Sequence, residues 1–422
     1  MSESTALDPG AAEDPTLCFP DELLGEIFLQ LLGSRSNNRH PFIVAATCRR
    51  WRAVALHTPA LWTSVMYTIS PTNVFPQNRW ARCFDIHLER SRALFLHVDI
   101  FWRADCGFVP DLYNAILDLL RRAQTFTLST TRNPGAYTLL GDAPHLTKCR
   151  VVYGWHDEGV PWKLYLRAPR LTAFEFSGYQ LQWDDAQEQF LLVTRLELEV
   201  SDFSTHDFLA LVSQTCPNVE ELSLKVRTWF NLDGAILRAP HLRMFHLALP
   251  DGTLDSAFAA AFDLPVLQTA SLELSGYTPA ETVAAFLRTF CRTVELLGLD
   301  LGFSLSSSNS NSILDGLALC PNVWGLTLCD AQYRVRNDII AGLARPTLCP
   351  RLESFEVRSS PLLPSEPQEQ LATRLEALAE ARRPVLKRII LTPAVLYESD
   401  SDEDDVTFEP LQQRLDAILS SA

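Results

Sequence analysis

"CPNVEELSLK", residues 216–225, carries the pattern that decides the fold. A proline is followed two residues later by an aliphatic, Val219, and then by Leu222 and Leu224, two apart. Residues two apart in a strand project to the same side, so Leu222 and Leu224 share a buried face while Glu221, Ser223 and Lys225 share the opposite one. One such strand cannot cover its apolar face alone. The sequence supplies neighbours of the same kind: "APHLTKCRVV" from 143, "APRLTAFEFS" from 168, "APHLRMFHLA" from 239, "LPVLQTASLE" from 264, "CPNVWGLTLC" from 320, "CPRLESFEVR" from 349 and "RPVLKRIILT" from 383. "VTRLELEV" from Val193 and "VELLGLDL" from Val294 keep the apolar positions without the proline.

Anchored on the aliphatic, the copies fall at 146, 171, 193, 219, 242, 267, 294, 323, 352 and 386, in steps of 22 to 29 residues with a last step of 34. That period lies in or just above the range of roughly 20 to 29 residues found in leucine-rich repeats. Ten short strands stacked in parallel bury a continuous face if a second layer covers it. "HDFLALVSQTC" and "AETVAAFLRTFC" have helical spacing and are expected in that layer. "SRALFLHVDI" near 95 and "AQTFTLST" near 126 read as degenerate leading copies. The pattern resembles the irregular leucine-rich repeats of fungal and plant proteins over residues 68–397. The alternative is an α/β domain with unusually regular strand spacing.

Composition agrees with a folded chain. At 422 residues it exceeds the roughly 250 to 300 at which one globular core stops growing, so two domains or a repeat array are expected. Hydrophobic residues make up 47% and charged residues 21%, which leaves disorder to short segments. The net charge of -15 is concentrated: "ESDSDEDD" at 398–405 holds six acids, and the first fourteen residues hold four acids and no base. No basic run could track phosphates, which argues against a nucleic-acid partner. Only Lys148, Lys163, Lys225 and Lys387 are lysines and none follows a glycine, so no GxxxxGK phosphate loop exists. Ten cysteines without a CxxC pair, no secretory leader and no N-x-S/T acceptor are expected of reduced, buried thiols in an intracellular protein, cytoplasmic or nuclear. No apolar run nears the roughly 18 residues of a membrane span.

Upstream, Pro20 suits the first turn of a helix, and Asp21 and Glu22 suit its positive end. Leu23, Leu24, Ile27, Phe28, Leu31 and Leu32 then make a wide apolar face. After "GSRSNNRH", Pro41 opens a second helix carrying Phe42, Ile43, Val44, Cys48, Trp51, Val54 and Ala55, and "HTPALW" ends on Leu61 and Trp62. These short helices hold too little core to stand alone, so the repeats or a partner must cover them.

"FPDELLGEIFLQLL", "CRRWRAVA" and "PALW", in that order and spacing, resemble an F-box over residues 17–65. Phe19 stands where the family has leucine, and the loop after the first helix is longer than usual. An F-box followed by leucine-rich repeats is similar to the substrate receptors of SCF-type cullin-RING ubiquitin ligases. The resemblance implies that Phe19, Pro20, Leu23, Leu24, Ile27 and Phe28 face a Skp-type adaptor. It implies that Cys48, Trp51, Leu61 and Trp62 form the helical core and part of the contact. The resulting fold class is α/β: a disordered start (1–15), a three-helix F-box (16–67), a solenoid with a parallel sheet on its concave face (68–397), an acidic disordered segment (398–408) and a C-terminal helix (409–422).

Enzymatic signatures are missing. There is no HExxH, GxSxG or GxGxxG; "HDE" at 156–158 lacks the PCxxC that would complete a zinc deaminase site. The Cys-Pro pairs at 216, 320 and 349 each precede the same repeat position, where packing explains them. No cofactor, metal or catalysis is expected. The strand residues opposite the buried face, including Glu175, Arg195, Glu197, Glu199, Glu221, Lys225, His246 and Glu273, are candidates for holding an unidentified protein substrate. Acids outnumber bases about two to one among the positions read, which favours a basic or mixed-charge partner. Ser399 and Ser401 sit in acidic context that a kinase could use. The other functions open to the chain are an F-box protein outside a ligase and a repeat scaffold or GTPase regulator whose first helices are only a cap.

Overall fold

Every predicted strand position is occupied by a strand. The structure, a computed structural model, describes residues 19–33, 40–70, 78–103, 110–131, 138–154, 162–179, 181–183, 190–201, 208–227, 236–249, 261–274, 280–290, 292–301, 310–329, 333–359, 368–393 and 409–420. Its main element is a thirteen-stranded parallel sheet whose strands are hydrogen-bonded in chain order. We label them β1 (Ser64–Ile69), β2 (Leu96–Trp102), β3 (Ala123–Thr130), β4 (Lys148–Tyr153), β5 (Ala173–Gly178), β6 (Arg195–Val200), β7 (Glu221–Val226), β8 (Met244–Leu249), β9 (Thr269–Leu274), β10 (Leu296–Asp300), β11 (Gly325–Cys329), β12 (Ser354–Ser359) and β13 (Arg388–Pro393). β2 and β3 are the two leading copies expected from the sequence. β1 was not expected: "SVMYTI" alternates with period two but has no proline anchor, and it begins inside the segment assigned to the F-box.

The proline signature has a local cause. In Ala143-Pro144-His145-Leu146 the Leu146 N–H donates to the Ala143 carbonyl at 3.1 Å, and the same turn recurs from Ala168 to Leu171 (3.0 Å), Cys216 to Val219 (3.3 Å) and Cys349 to Leu352 (3.0 Å). Proline fits the second position of such a turn because its φ is already set there. The turn aims the aliphatic inward, and all ten anchors, from Leu146 to Leu386, are buried. Successive turns are stapled together: Glu220 N–H donates to Thr194 O at 2.8 Å and Arg243 N–H to Glu220 O at 2.8 Å. Leu222 and Leu224 lie level with Leu196 and Leu198 on one side and with Phe245 and Leu247 on the other, so inward side chains form continuous rows.

The opposite wall of the core is built from the segments between strands. Helices α4 (Asn78–Arg90), α5 (Pro110–Leu120), α6 (Ala280–Phe290), α7 (Ser310–Leu317), α8 (Tyr333–Leu343) and α9 (Gln368–Ala381) share one buried cluster with the sheet. "HDFLALVSQTC" contributes a π-helix over Ala210–Thr215, while "AETVAAFLRTFC" contributes α6. Elsewhere small parallel sheets take that chain position, one from Thr138–Asp142, Trp162–Arg167 and Leu181–Trp183, the other from Leu237–Arg238 and Phe262–Asp263.

Cys216, Cys320 and Cys349 open their turns as buried thiols. Burial pushes Cys216 up to about 12 and Cys349 up to about 11, so both stay protonated. Cys18, Cys106 and Cys291 lie outside the described residues, as do residues 1–15, "HDE" at 156–158, the acidic run 398–408 with Ser399 and Ser401, and most of the "GSRSNNRH" loop.

The last helix, α10 (Glu409–Ser420), covers the sheet edge at β13. Leu411 and Leu415 are buried, and the Gln412 amide bridges the edge backbone: its Nε2–H donates to Ile389 O at 2.7 Å while Oε1 accepts from Leu391 N–H at 3.1 Å. One side chain therefore takes the two hydrogen bonds that a further strand would make, which blunts an edge otherwise open to pairing. Among the described residues no helix is long and apolar enough to cross a membrane.

Candidate protein-interaction faces

At the N-terminus, α1 (Asp21–Gly33) packs on α2 (His40–Thr47), α3 (Arg49–His57) and a 3-10 turn over Pro59–Trp62. The second helix expected from the sequence is two helices. Cys48 breaks it as an extended N-cap whose Sγ accepts from the Trp51 N–H at 3.4 Å. Arg50 then fastens the start of α1: its guanidinium donates to Asp21 Oδ1 at 2.8 and 2.9 Å and to the Phe19 carbonyl.

The ten residues assigned to adaptor binding divide by environment. Leu24 and Phe28 point inward with Val44, Val54, Ala55, Leu61 and Trp62, forming a small separate core. Phe28 also meets Trp51 at a ring separation of 4.9 Å, and Trp62 Nε1–H donates to Ala55 O at 2.9 Å. Leu24 and Phe28 therefore do not face outward, contrary to the expectation; the reason is that α2, α3 and the turn need one side of α1 for their own core. Trp51 and Cys48 are half-buried.

The other side of α1 is apolar too. Phe19, Leu23, Ile27 and Leu31, each four residues from the last, are 41, 51, 41 and 49% exposed, and Ile43 of α2 is 55% exposed. Pro20 is exposed at the head of this stripe. Residues four apart lie on one helix face, so this is a continuous apolar strip rather than scattered surface leucines. Leu31 and Ile43 were not assigned to the site; for Leu31 the four-residue step from Ile27 was the available signal.

An aromatic cluster joins the helices to the sheet. Trp62 and Phe42 contact each other edge-on at 5.2 Å, and both contact the His87 ring at 5.6 Å. His87, fully buried on α4, uses both ring nitrogens: Nδ1 lies 2.9 Å from Trp62 O and Nε2 lies 3.0 Å from the Tyr67 hydroxyl. With Nδ1–H donating to the carbonyl, Nε2 accepts from Tyr67 and the imidazole is neutral. Burial lowers its pKa, only partly offset by the Trp62 carbonyl.

The second candidate is the open face of the sheet. Register places the candidates side by side: Glu175 is level with Glu197, Arg195 with Glu221, and Glu199 with Lys225. Their charges are largely answered across strands. Arg150 meets Glu175 at 2.7 Å, Arg195 lies 3.6 Å from Glu197 and 3.9 Å from Glu221, and Lys225 meets Glu199 at 2.9 Å. The acid excess inferred from the sequence is thus mostly cancelled over β4 to β7, because Lys148 and Arg150 belong to the same face and were not counted. Burial raises the Glu175 carboxyl, with Arg150 opposing.

Toward β12, burial pushes Glu356 upward, but hydrogen bonds from Arg358, Thr392 and Thr327 outweigh it and hold the carboxyl below its usual range. His246 lies 3.9 Å from Glu273. Among the described residues, hollows of about 190, 270 and 560 Å³ open on this face, the last of these between β8 and β12. Such a face offers charges, hydroxyls and shallow depressions in fixed register, which is equipment for recognising a surface or an extended segment. The chain matches no known family model and no curated protein.

Proposed function

We propose that this chain is a substrate receptor of an SCF-type cullin-RING ubiquitin ligase. In this reading α1 to α3 and the Pro59–Trp62 turn form an F-box that docks a Skp-type adaptor. The sheet and its outer layer form a leucine-rich-repeat-like solenoid that holds the protein to be modified. Ubiquitin transfer takes place on associated subunits, and the contribution of this chain is proximity.

The observation that carries the reading is the strip Phe19, Leu23, Ile27 and Leu31 on the side of α1 turned away from its own core. A helix that served only as a cap for the sheet would keep that side polar. The Phe42, Trp62 and His87 cluster supports a fixed relation between the adaptor end and the sheet, which a proximity mechanism requires.

The test is capture of a Skp-type adaptor by the full chain, repeated with Leu23→Asp plus Ile27→Asp. These positions are exposed, so folding is preserved, whereas Leu24 would test only the core. Interface anchors are worth about 2 kcal/mol each, or about 30-fold in Kd, so the double variant loses the complex. Failure of the wild-type chain to capture the adaptor refutes the reading. Ubiquitination of proteins that co-purify separates a ligase receptor from an F-box protein outside a ligase.

A further inference from the structure

The hollow of about 270 Å³ opens over β3 to β6, and its lining includes Lys148, Arg150 and Arg195 against two acids, Glu175 and Glu197. This is a local excess of positive charge on a chain whose net charge is -15. Counting lysine and arginine against acids, the hollows of about 190 and 560 Å³ have no such excess: Arg195 is set against Glu221 in the first, and Arg358 against Glu273, Asp300 and Glu356 in the second.

Register places the excess. His97, Thr125, Lys148, Ala173 and Arg195 are successive partners from β2 to β6, a row without an acid. Glu175 and Glu197 stand in the next row, two residues further along their strands. Ala173 is level with Lys148 on one side and Arg195 on the other, so a single methyl group separates two long cationic side chains. Arg150 is bound to Glu175 at 2.7 Å. Arg195 lies 3.6 Å from Glu197 and 3.9 Å from Glu221, both longer than a hydrogen bond, so neither acid fixes its donors. Lys148 is exposed, and its ammonium makes no ion pair among the described residues. One strand spacing of about 4.8 Å separates Ala173 from each neighbour, so a negative group above its methyl is within reach of both side chains.

We propose that the hollow over Ala173 receives the carboxylate of a glutamate or aspartate side chain from the protein bound on the sheet face. The planar fork of Arg195 addresses both carboxylate oxygens, and the Lys148 ammonium closes on them from the other side. This inference rests on the sheet being a protein-binding face. It names a substrate class for that face: proteins that present an acidic side chain, where the count of acids along the strands favoured a basic or mixed-charge partner.

The test is a selection of random dodecamer peptides on the immobilised full chain, run in parallel on Lys148→Glu and on Ala173→Glu. The first reverses the unpaired charge at an exposed position, and the second supplies the hollow with a carboxylate of the chain's own. Peptides recovered on the wild-type chain are expected to be enriched in aspartate or glutamate, with the enrichment lost on both variants and kept on Lys148→Arg. The best peptide is then made with an amidated C-terminus, so that only side chains carry carboxylate. Replacing its selected acid by the corresponding amide should weaken binding about tenfold at low salt. Recovery of no peptides, enrichment of basic residues, or acid enrichment that survives either variant overturns the proposal. Adaptor capture by the same preparation reports on the receptor reading separately, since it involves the other end of the chain.

Discussion

Acidification should weaken the junction between the helices and the sheet through a single side chain, His87. The imidazole is fully buried, neutral, and bonded at both nitrogens to Trp62 and Tyr67. Its neighbours cannot compensate a positive charge: Tyr67 is pushed up by burial and by the adjacent Cys83, which is itself raised by burial, so both remain uncharged. The native pKa of His87 is depressed, whereas in the unfolded chain it is near 6.5. Below about pH 6.5 the unfolded state therefore binds the extra proton, and stability falls as pH falls. Each pH unit costs about 1.4 kcal/mol until the native pKa is reached, so moving from pH 6.5 to 5.0 costs up to about 2 kcal/mol. Urea unfolding followed by tryptophan fluorescence suits the measurement because Trp62 touches the ring. The wild-type chain should lose more stability than His87→Gln between pH 7 and 5, by up to about 2 kcal/mol. Equal losses in the two proteins would refute the reasoning.

Three further outcomes follow from particular contacts. Gln412→Ala removes both bonds to β13 and should destabilise α10 by about 1 to 3 kcal/mol, seen as faster amide exchange at Leu391 and over 409–420. Gly154→Ala would drive a methyl carbon into the Thr131 carbonyl oxygen, backbone that cannot move freely, and should cost more than about 2 kcal/mol in thermal unfolding. Cys149, pushed up to about 12 by complete burial, and Cys216 should resist iodoacetamide at pH 8 until denaturant is added, a result read by peptide mass mapping.

Much of the sheet was legible because its signals are local. A proline at the second position of a turn, an aliphatic two residues on and a period of two thereafter fix which side chains point inward, whatever surrounds them. Eight of the ten anchors carry the proline, and the remaining two and both leading copies were legible from the period of two alone. β1 escaped because the segment before it is the Pro59–Trp62 turn rather than the repeated one. The break at Cys48 escaped because "HPFIVAATCRRWRAVA" reads as continuous helix, and only the turn of α3 onto the α1 core puts Cys48 in an extended conformation.

For the candidate sites, the sequence by itself determined that the first helix is apolar on more of its surface than a small core needs, and that the strand faces alternate. Tertiary structure alone decided which apolar side of α1 is spent inside. Leu23 and Leu24 are adjacent and equally hydrophobic, and the choice between them depends on Leu61 and Trp62, nearly forty residues away. Likewise, the count of acids along the strands was readable, but not that Arg150 answers Glu175 while Asp300 stands level with Glu273, because register joins residues more than twenty positions apart. Direction along a strand is a property of the local backbone; partnership across strands is a property of the stack.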